Sequence, residues 1–208
     1  MRARLLLPAL LVALCAASAS AQSPRAPSPG AQKPGASFKE CAHCPEMVSV
    51  APGTLGRATI DYRFAYSKDK ISLRDWKQCV LANQCQPLGA MATAGPEPAT
   101  PSWLDIQQYL TWLSLETGHD YRLLSETEWE YVTKTAGLRI DALEWTSDCW
   151  HPDRVAAPLD GSSWDAEGDC RYHVARGRRA GETSTTTRYR FLFNASDPAL
   201  GFRVARTL

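Results

Sequence analysis

The sequence predicts an irregular α+β domain, compact and low in regular secondary structure. Aromatic and turn-forming residues are spread along the chain, with 7 Trp, 7 Tyr, 13 Gly and 14 Pro among 208 residues. Long stretches of helical or strand periodicity are few, which argues against a bundle and against a doubly wound sheet. Three segments nevertheless carry helix start signals, and short β-branched or aromatic runs lie between and after them.

Residues 1–21 read as an export signal. Arg2 and Arg4 form a basic start, Leu5 to Ala17 an apolar core, and Ala19-Ser20-Ala21 a cleavage site. The apolar stretch is about a dozen residues, short of the roughly twenty that span a bilayer, so no membrane insertion is expected after cleavage. Cys15 follows Leu14 rather than a small residue, which argues against lipid attachment. The expected location is periplasmic or secreted. Residues 22–37 are Pro, Ser, Ala and Gly with almost no large apolar side chains, and they predict a disordered linker. Residues 38–208 then form one domain without internal repeats. The formal net charge is +1, and removing Arg2 and Arg4 with the signal leaves about −1. Such a balance offers no footprint for nucleic acid or for an anionic membrane surface.

Of 7 cysteines, the exported chain keeps Cys41, Cys44, Cys79, Cys85, Cys149 and Cys170. An even number in an oxidising compartment predicts disulfides, although many connectivities are compatible with the spacing. The expectation adopted is short-range pairing: 41 with 44, 79 with 85, and 149 with 170.

Ser72 with Asp75 predicts the first helix, with Leu73, Trp76, Val80 and Leu81 on its apolar face before Cys85 and Pro87 stop it. Ser102 caps a second, in which Leu104, Tyr109, Leu110 and Leu113 face a core and Gly118 ends the run. Ser125 and Glu128 form a capping box for a third, which holds Trp129 and Val132 inward. Residues 46–50, 58–66 and 188–193 predict strands, and 201–206 alternate as a closing strand with Phe202 and Val204 inward. Residues 86–101, broken by Pro and Gly, predict a loop.

Four phrases together carry a resemblance. Cys-Pro-Glu-Met-Val-Ser-Val-Ala-Pro-Gly (44–53), Tyr-Arg-Leu-Leu-Ser-Glu-Thr-Glu-Trp-Glu-Tyr-Val (121–132), Glu-Trp-Thr-Ser-Asp-Cys-Trp (144–150) and Gly-Phe-Arg-Val-Ala-Arg (201–206) resemble, in order, the sulfatase-modifying factor family of formylglycine-generating enzymes. The similarity spans nearly all of the chain after residue 37. It implies a low-regularity α+β fold related to C-type lectin-like domains. In such a fold Trp129, Trp145 and Trp150 are large apolar side chains whose indole N–H groups need partners, and Arg203 and Arg206 brace buried carboxylates.

Two departures from the family bear on function. Members that make formylglycine carry two cysteines shortly after an Arg-Gly-Gly-Ser-like segment, and these bind copper(I), for which thiolates are the suited soft ligands. Here the corresponding run is Arg176-Gly177-Arg178-Arg179 and then residues 180–194, without cysteine. Copper chemistry of the family's kind is therefore not expected. The segment between the third helix and Glu144 is also short, and one of the family's calcium sites falls largely in the missing stretch. Asp141 and Glu144 stand where relatives have oxygen donors for the other site, so they are candidate calcium ligands; the competing reading of Glu144 is a salt-bridged carboxylate.

Other candidates are less specific. Cys41-Ala42-His43-Cys44 has the spacing of a redox motif, but Pro45 and the strand-like run after it offer no helix to activate a thiol. Zinc at Cys41, His43 and Cys44 lacks a second closely spaced Cys/His pair. His119, His151 and His173 are isolated, and Asn194-Ala195-Ser196 matches a common glycosylation acceptor. Arg176, Arg178, Arg179, Arg188 and Arg190 form a local basic cluster that could contact an anionic ligand, or could be a solvated loop and strand edge. Three readings result: a noncatalytic binding or accessory domain for a protein, peptide or small ligand; an oxidoreductase of this family working without the cysteine pair; and a thiol-disulfide protein using Cys41 and Cys44.

Overall fold

Three serines set the helix starts. In the computed structural model, which describes residues 33–89, 94–184 and 187–208, α1 (Leu73–Leu81), α2 (Trp103–Thr117) and α3 (Glu126–Thr135) follow Ser72, Ser102 and Ser125. Each serine hydroxyl accepts the backbone N–H three residues on, and the acidic side chain there accepts the N–H of the serine. Two donors that a helix leaves orphaned are thereby satisfied at every start. Gly118 ends α2 in the left-handed region, φ 72°, its N–H donating to Ser114 O.

The helix faces differ from the prediction at two leucines. In α1 Trp76 and Cys79 are fully buried while Leu81 is 66% exposed; a residue five positions after Trp76 falls on the opposite side of the helix. In α2 Leu104 is 48% exposed, and Ile106, Tyr109, Leu110, Trp112 and Leu113 fill the core instead. Trp129 and Val132 of α3 point inward as predicted.

Eleven strands are assigned among the described residues: β1 (Ser37–Phe38), β2 (Met47–Val50), β3 (Gly53–Leu55), β4 (Ala58–Ile60), β5 (Phe64–Ser67), β6 (Arg122–Leu123), β7 (Leu143–Trp150), β8 (Asp169–Gly177), β9 (Arg188–Leu192), β10 (Leu200–Phe202) and β11 (Val204–Thr207). One sheet runs β1-β2-β5-β11-β6, a second β10-β7-β8-β9, and β3-β4 is a small hairpin. The predicted strand over 58–66 is two strands, and the predicted closing strand is also two. β10 pairs parallel to β7, and after Arg203 β11 pairs antiparallel to β5 and β6. A few residues thus tie the two sheets together, with both Phe202 and Val204 fully buried.

Both faces of the five-stranded sheet are covered. Met47, Ala65 and Val204 join Trp76, Tyr109, Leu113 and Phe202 in one cluster, while Val50, Phe64, Tyr66 and Ala205 join Trp129 and Val132 in another. Alternation along each strand sends neighbours to opposite sides, so the central β5 is buried at every residue. Gly177 ends β8 at φ +124°, where a side chain would strike Ala142 O.

The expected export signal, residues 1–21, and residues 22–32 of the expected linker lie outside the described residues. Lys33 to Ser37 do not extend the linker: Gly35 N–H donates to Ser49 O at 2.8 Å, Ser49 N–H to Ala36 O at 3.0 Å, and Ser37 pairs with Val48. The outer edge of β2 needs partners for its backbone groups, and this segment supplies them. Among the described residues no helix is long and apolar enough to cross a membrane.

Three disulfides join Cys41 to Cys44, Cys79 to Cys85 and Cys149 to Cys170. The last links β7 to β8 beside register shifts at Cys149, where extra residues twist the strand.

Candidate functional site

The first turn of α3 is unusual in being buried and charged. Glu126 is 1% exposed, and its carboxylate faces three arginines: Arg176 Nη1 at 2.5 Å, Arg188 Nε at 2.7 Å and Arg154 Nε at 3.9 Å. One turn on, Glu130 receives Arg154 Nη1 at 2.5 Å and Arg176 Nη1 at 2.8 Å. Burial acts to raise the Glu130 carboxyl, but Arg176 and Arg154 hold it below the usual range. Asp148 of β7 accepts the Glu126 N–H at 2.7 Å and the Trp164 N–H at 3.2 Å, so a carboxyl group meets the positive end of α3. Burial pushes Asp148 up to about 6, with the backbone donors opposing and the Glu126 charge adding to it.

Beside this network lies a cavity of about 340 Å³ between α3 and the β3-β4 hairpin. Leu55 and Ala58 supply apolar wall, Trp129 an aromatic one, and Lys134, Arg154 and Arg176 the positive charge. The Arg176 guanidinium stacks 5.2 Å from the Trp129 ring centroid. Its Nε is buried and has no hydrogen-bond partner among the described residues. Glu130, the acidic residue of the lining, is already engaged by two arginines. The site therefore combines an apolar body with the positive charge of Lys134 and Arg154, which suits a small anionic ligand carrying a ring or chain.

The predicted arginine cluster divides. Arg176 and Arg188 meet at Glu126, and Arg188 also donates to His151 O at 2.9 Å. Arg190 is exposed and stacks on Tyr172 at 5.2 Å and Trp150 at 6.0 Å. Arg179 covers Tyr189 and Phe191 on the other side of β9, and Arg178 is exposed. Only Arg176 of the five lines the cavity beside α3. Arg154 and Glu126, which complete the network, carry no local sequence signal: Arg154 lies in a loop and Glu126 reads as an ordinary first-turn acid.

The candidate calcium ligands do not fit calcium as placed. Glu144 is 1% exposed and is held by Arg203 Nε at 3.1 Å and by the Trp129 indole N–H at 3.1 Å. Asp141 pairs with Lys70 and lies 3.6 Å from Arg139; burial would raise its carboxyl, but Lys70 and Arg139 hold it low. Each carboxylate is neutralised by protein cations rather than offered to a metal. Arg206 likewise reaches Glu40, at 2.6 Å.

His173 stacks on Trp103 at 3.7 Å, and burial pushes its imidazole down. His151 stacks on Trp164 at 3.5 Å, with its ring nitrogens at the Cys149 and Ala166 carbonyls. His119 lies 3.7 Å from Glu40. Asn194 is exposed in the turn after β9.

No protein-family model matches this sequence, and no curated protein matches it. Solved structures do. PvdO from Pseudomonas aeruginosa superposes with a TM-score of 0.74 at 25% identity, over 86% of this chain and 100% of that one. The chain shares its fold with PvdO. Treponema denticola variable protein 1 follows at 0.62 and 13% identity, over 83% of this chain and 99% of its own. CarF, at 0.55 and 12%, covers 80% and 99%. The last two show the fold alone; all three are matched along nearly their whole length.

Proposed function

We propose that this chain is an exported domain of the sulfatase-modifying factor type that acts as a binding or accessory protein, noncatalytic toward formylglycine formation, taking a small anionic ligand in the cavity beside α3. The fold shared with PvdO and the four sequence phrases support the family reading. The observation that carries the functional one is the lining of that cavity, where the apolar Leu55 and Ala58 stand with the cations Lys134 and Arg154, the latter 27% exposed. Formylglycine chemistry has no support in the residues: the six cysteines of the exported chain stand in disulfides, and residues 176–194 supply no thiolate.

Two measurements test the reading. Titration with phenylacetate is expected to move the Trp129 indole resonance saturably, neutral benzyl alcohol is not, and Arg154→Gln is expected to weaken binding about tenfold, a loss of about 1.4 kcal/mol. Absence of any saturable shift would remove the cavity as the ligand site. A Cys-x-Pro-x-Arg peptide incubated with the protein, copper(I) and oxygen is expected to retain its cysteine, and aldehyde formation at the rate of an active formylglycine-generating enzyme would overturn the noncatalytic reading.

A further inference from the structure

The Cys41–Cys44 disulfide has a neighbour that the other two lack. His43 lies within its loop, and His43 Nε2 stands 3.2 Å from Glu116 Oε1 near the end of α2. The Cys41 sulfur, a His43 ring nitrogen and a Glu116 oxygen lie within 4.8 Å of one another, and no other such convergence of Cys, His and carboxylate groups occurs among the described residues. Exposure within the disulfide is uneven: Cys44 is 1% exposed, whereas Cys41 is only half-buried. The loop also forms one rim of an open cleft of about 730 Å³, lined by Ala42, His43 and Pro45 and by charges of both signs, among them Lys39, Glu46 and Arg74.

We propose that Cys41–Cys44 is a redox-active disulfide that oxidises a dithiol polypeptide bound along this cleft, a role independent of the cavity beside α3. Exchange needs a thiolate, an accessible sulfur and a route for the proton. His43 takes the proton from the first substrate thiol, and Glu116 stabilises the imidazolium. The substrate thiolate attacks the sulfur of Cys41, the less buried residue of the pair, the Cys41–Cys44 bond breaks, and the Cys44 thiolate receives the proton back from His43. The second substrate thiol, deprotonated in the same way, attacks the substrate sulfur of the mixed disulfide and releases Cys41, which takes up that proton. The substrate loses two electrons and two protons, and the pair Cys41 and Cys44 gains both. A helix N-terminus, the usual activator of such a pair, is absent here because β2 follows; the His43 and Glu116 side chains stand in its place. While the disulfide is intact Cys41 offers a metal no thiolate.

The remaining disulfides provide internal controls. Cys79 and Cys85 are 0% and 5% exposed. Cys170 is exposed, but His151, two residues from its partner Cys149, has both ring nitrogens at backbone carbonyls. Accessibility alone would therefore favour Cys149–Cys170, and proton transfer would favour Cys41–Cys44.

The test mixes the oxidised exported chain with one equivalent of a reduced synthetic peptide bearing two cysteines, quenches by alkylation at intervals, and maps the labels by mass. Cys41 and Cys44 are expected to become labelled in step with peptide oxidation while the other four stay blocked. His43→Ala is expected to slow exchange at least tenfold and Glu116→Gln several-fold, with melting little changed because the two side chains are 41% and 39% exposed. Opening of Cys149–Cys170 first, exchange by His43→Ala at the wild-type rate, or no exchange at any disulfide would each overturn the proposal.

Discussion

Arg203 Nε lies 3.1 and 3.2 Å from the two carboxylate oxygens of Glu144. The pair sits where the chain passes from β10 to β11, and Arg203 also donates to the carbonyls of Ser67 and Lys68. One guanidinium thus joins β7 of the second sheet to the end of β5 in the first. Breaking such a buried pair from one side leaves an uncompensated charge, so Glu144→Ala is expected to cost about 3–5 kcal/mol. Urea denaturation of the exported chain measures it, and a loss below about 1 kcal/mol, the range of an exposed pair, would show that the junction does not depend on this contact.

Trp129 is 2% exposed and donates its indole N–H to the same Glu144. Trp129→Ala removes a large buried side chain and the stacking surface of Arg176, with an expected cost of about 3–5 kcal/mol. Thermal melting is the readout, and an unchanged midpoint would contradict the second core cluster.

Asp148 gives the stability a pH dependence of defined sign. Its carboxyl is raised to about 6 by burial, against an ordinary value of about 3.9 in the unfolded chain. Between these values the folded protein holds a proton that the unfolded chain has lost, so this group's stabilising contribution is full below about pH 4 and is lost as pH rises through about 6. Each unit of difference corresponds to about 1.4 kcal/mol. Asp148→Asn, which keeps an acceptor for the Glu126 N–H, is expected to abolish that fall. Urea midpoints of the two proteins at pH 4, 5, 6 and 7 should diverge across this window, and parallel curves would refute the assignment.

The disulfides predict a mass. The intact protein is expected to gain six hydrogen atoms on reduction of its three disulfides, and a native mass without that deficit would exclude the pairing. Replacing Cys149 and Cys170 together by Ala opens the longest of the three loops and is expected to cost about 3 kcal/mol in denaturant titrations.

The legible parts of this fold are those with local causes. Ser72, Ser102 and Ser125 could be read as helix starts because a cap and its partner lie within one turn, and neighbouring cysteines pair where the chain between them is short. β7 and β8 escaped a periodic reading because both are buried on long stretches, contain charged residues, and are bulged at Cys149. Leu81 lies outward by the helical period itself, five residues after Trp76, whereas Leu104 sits in the first turn of α2, where the tertiary partner decides which side is covered. At the site, Arg176 and Arg188 stand out as a basic run, yet their partner Glu126 lies about fifty residues upstream, and no local spacing signals it.

The sequence by itself determined the helix starts, the even set of six cysteines after residue 37, the lack of a thiolate pair after Arg176 and the phrases that resemble a known family, since each depends on residue identity over a few positions. Only the tertiary structure decided that Arg203 splits the closing segment between two sheets, that Glu144 meets Arg203 and Trp129, and that Glu116 reaches His43 beside Cys41. Those relationships join residues far apart in the chain, and they exist because burial forces each charge to find a partner wherever the fold brings one within reach.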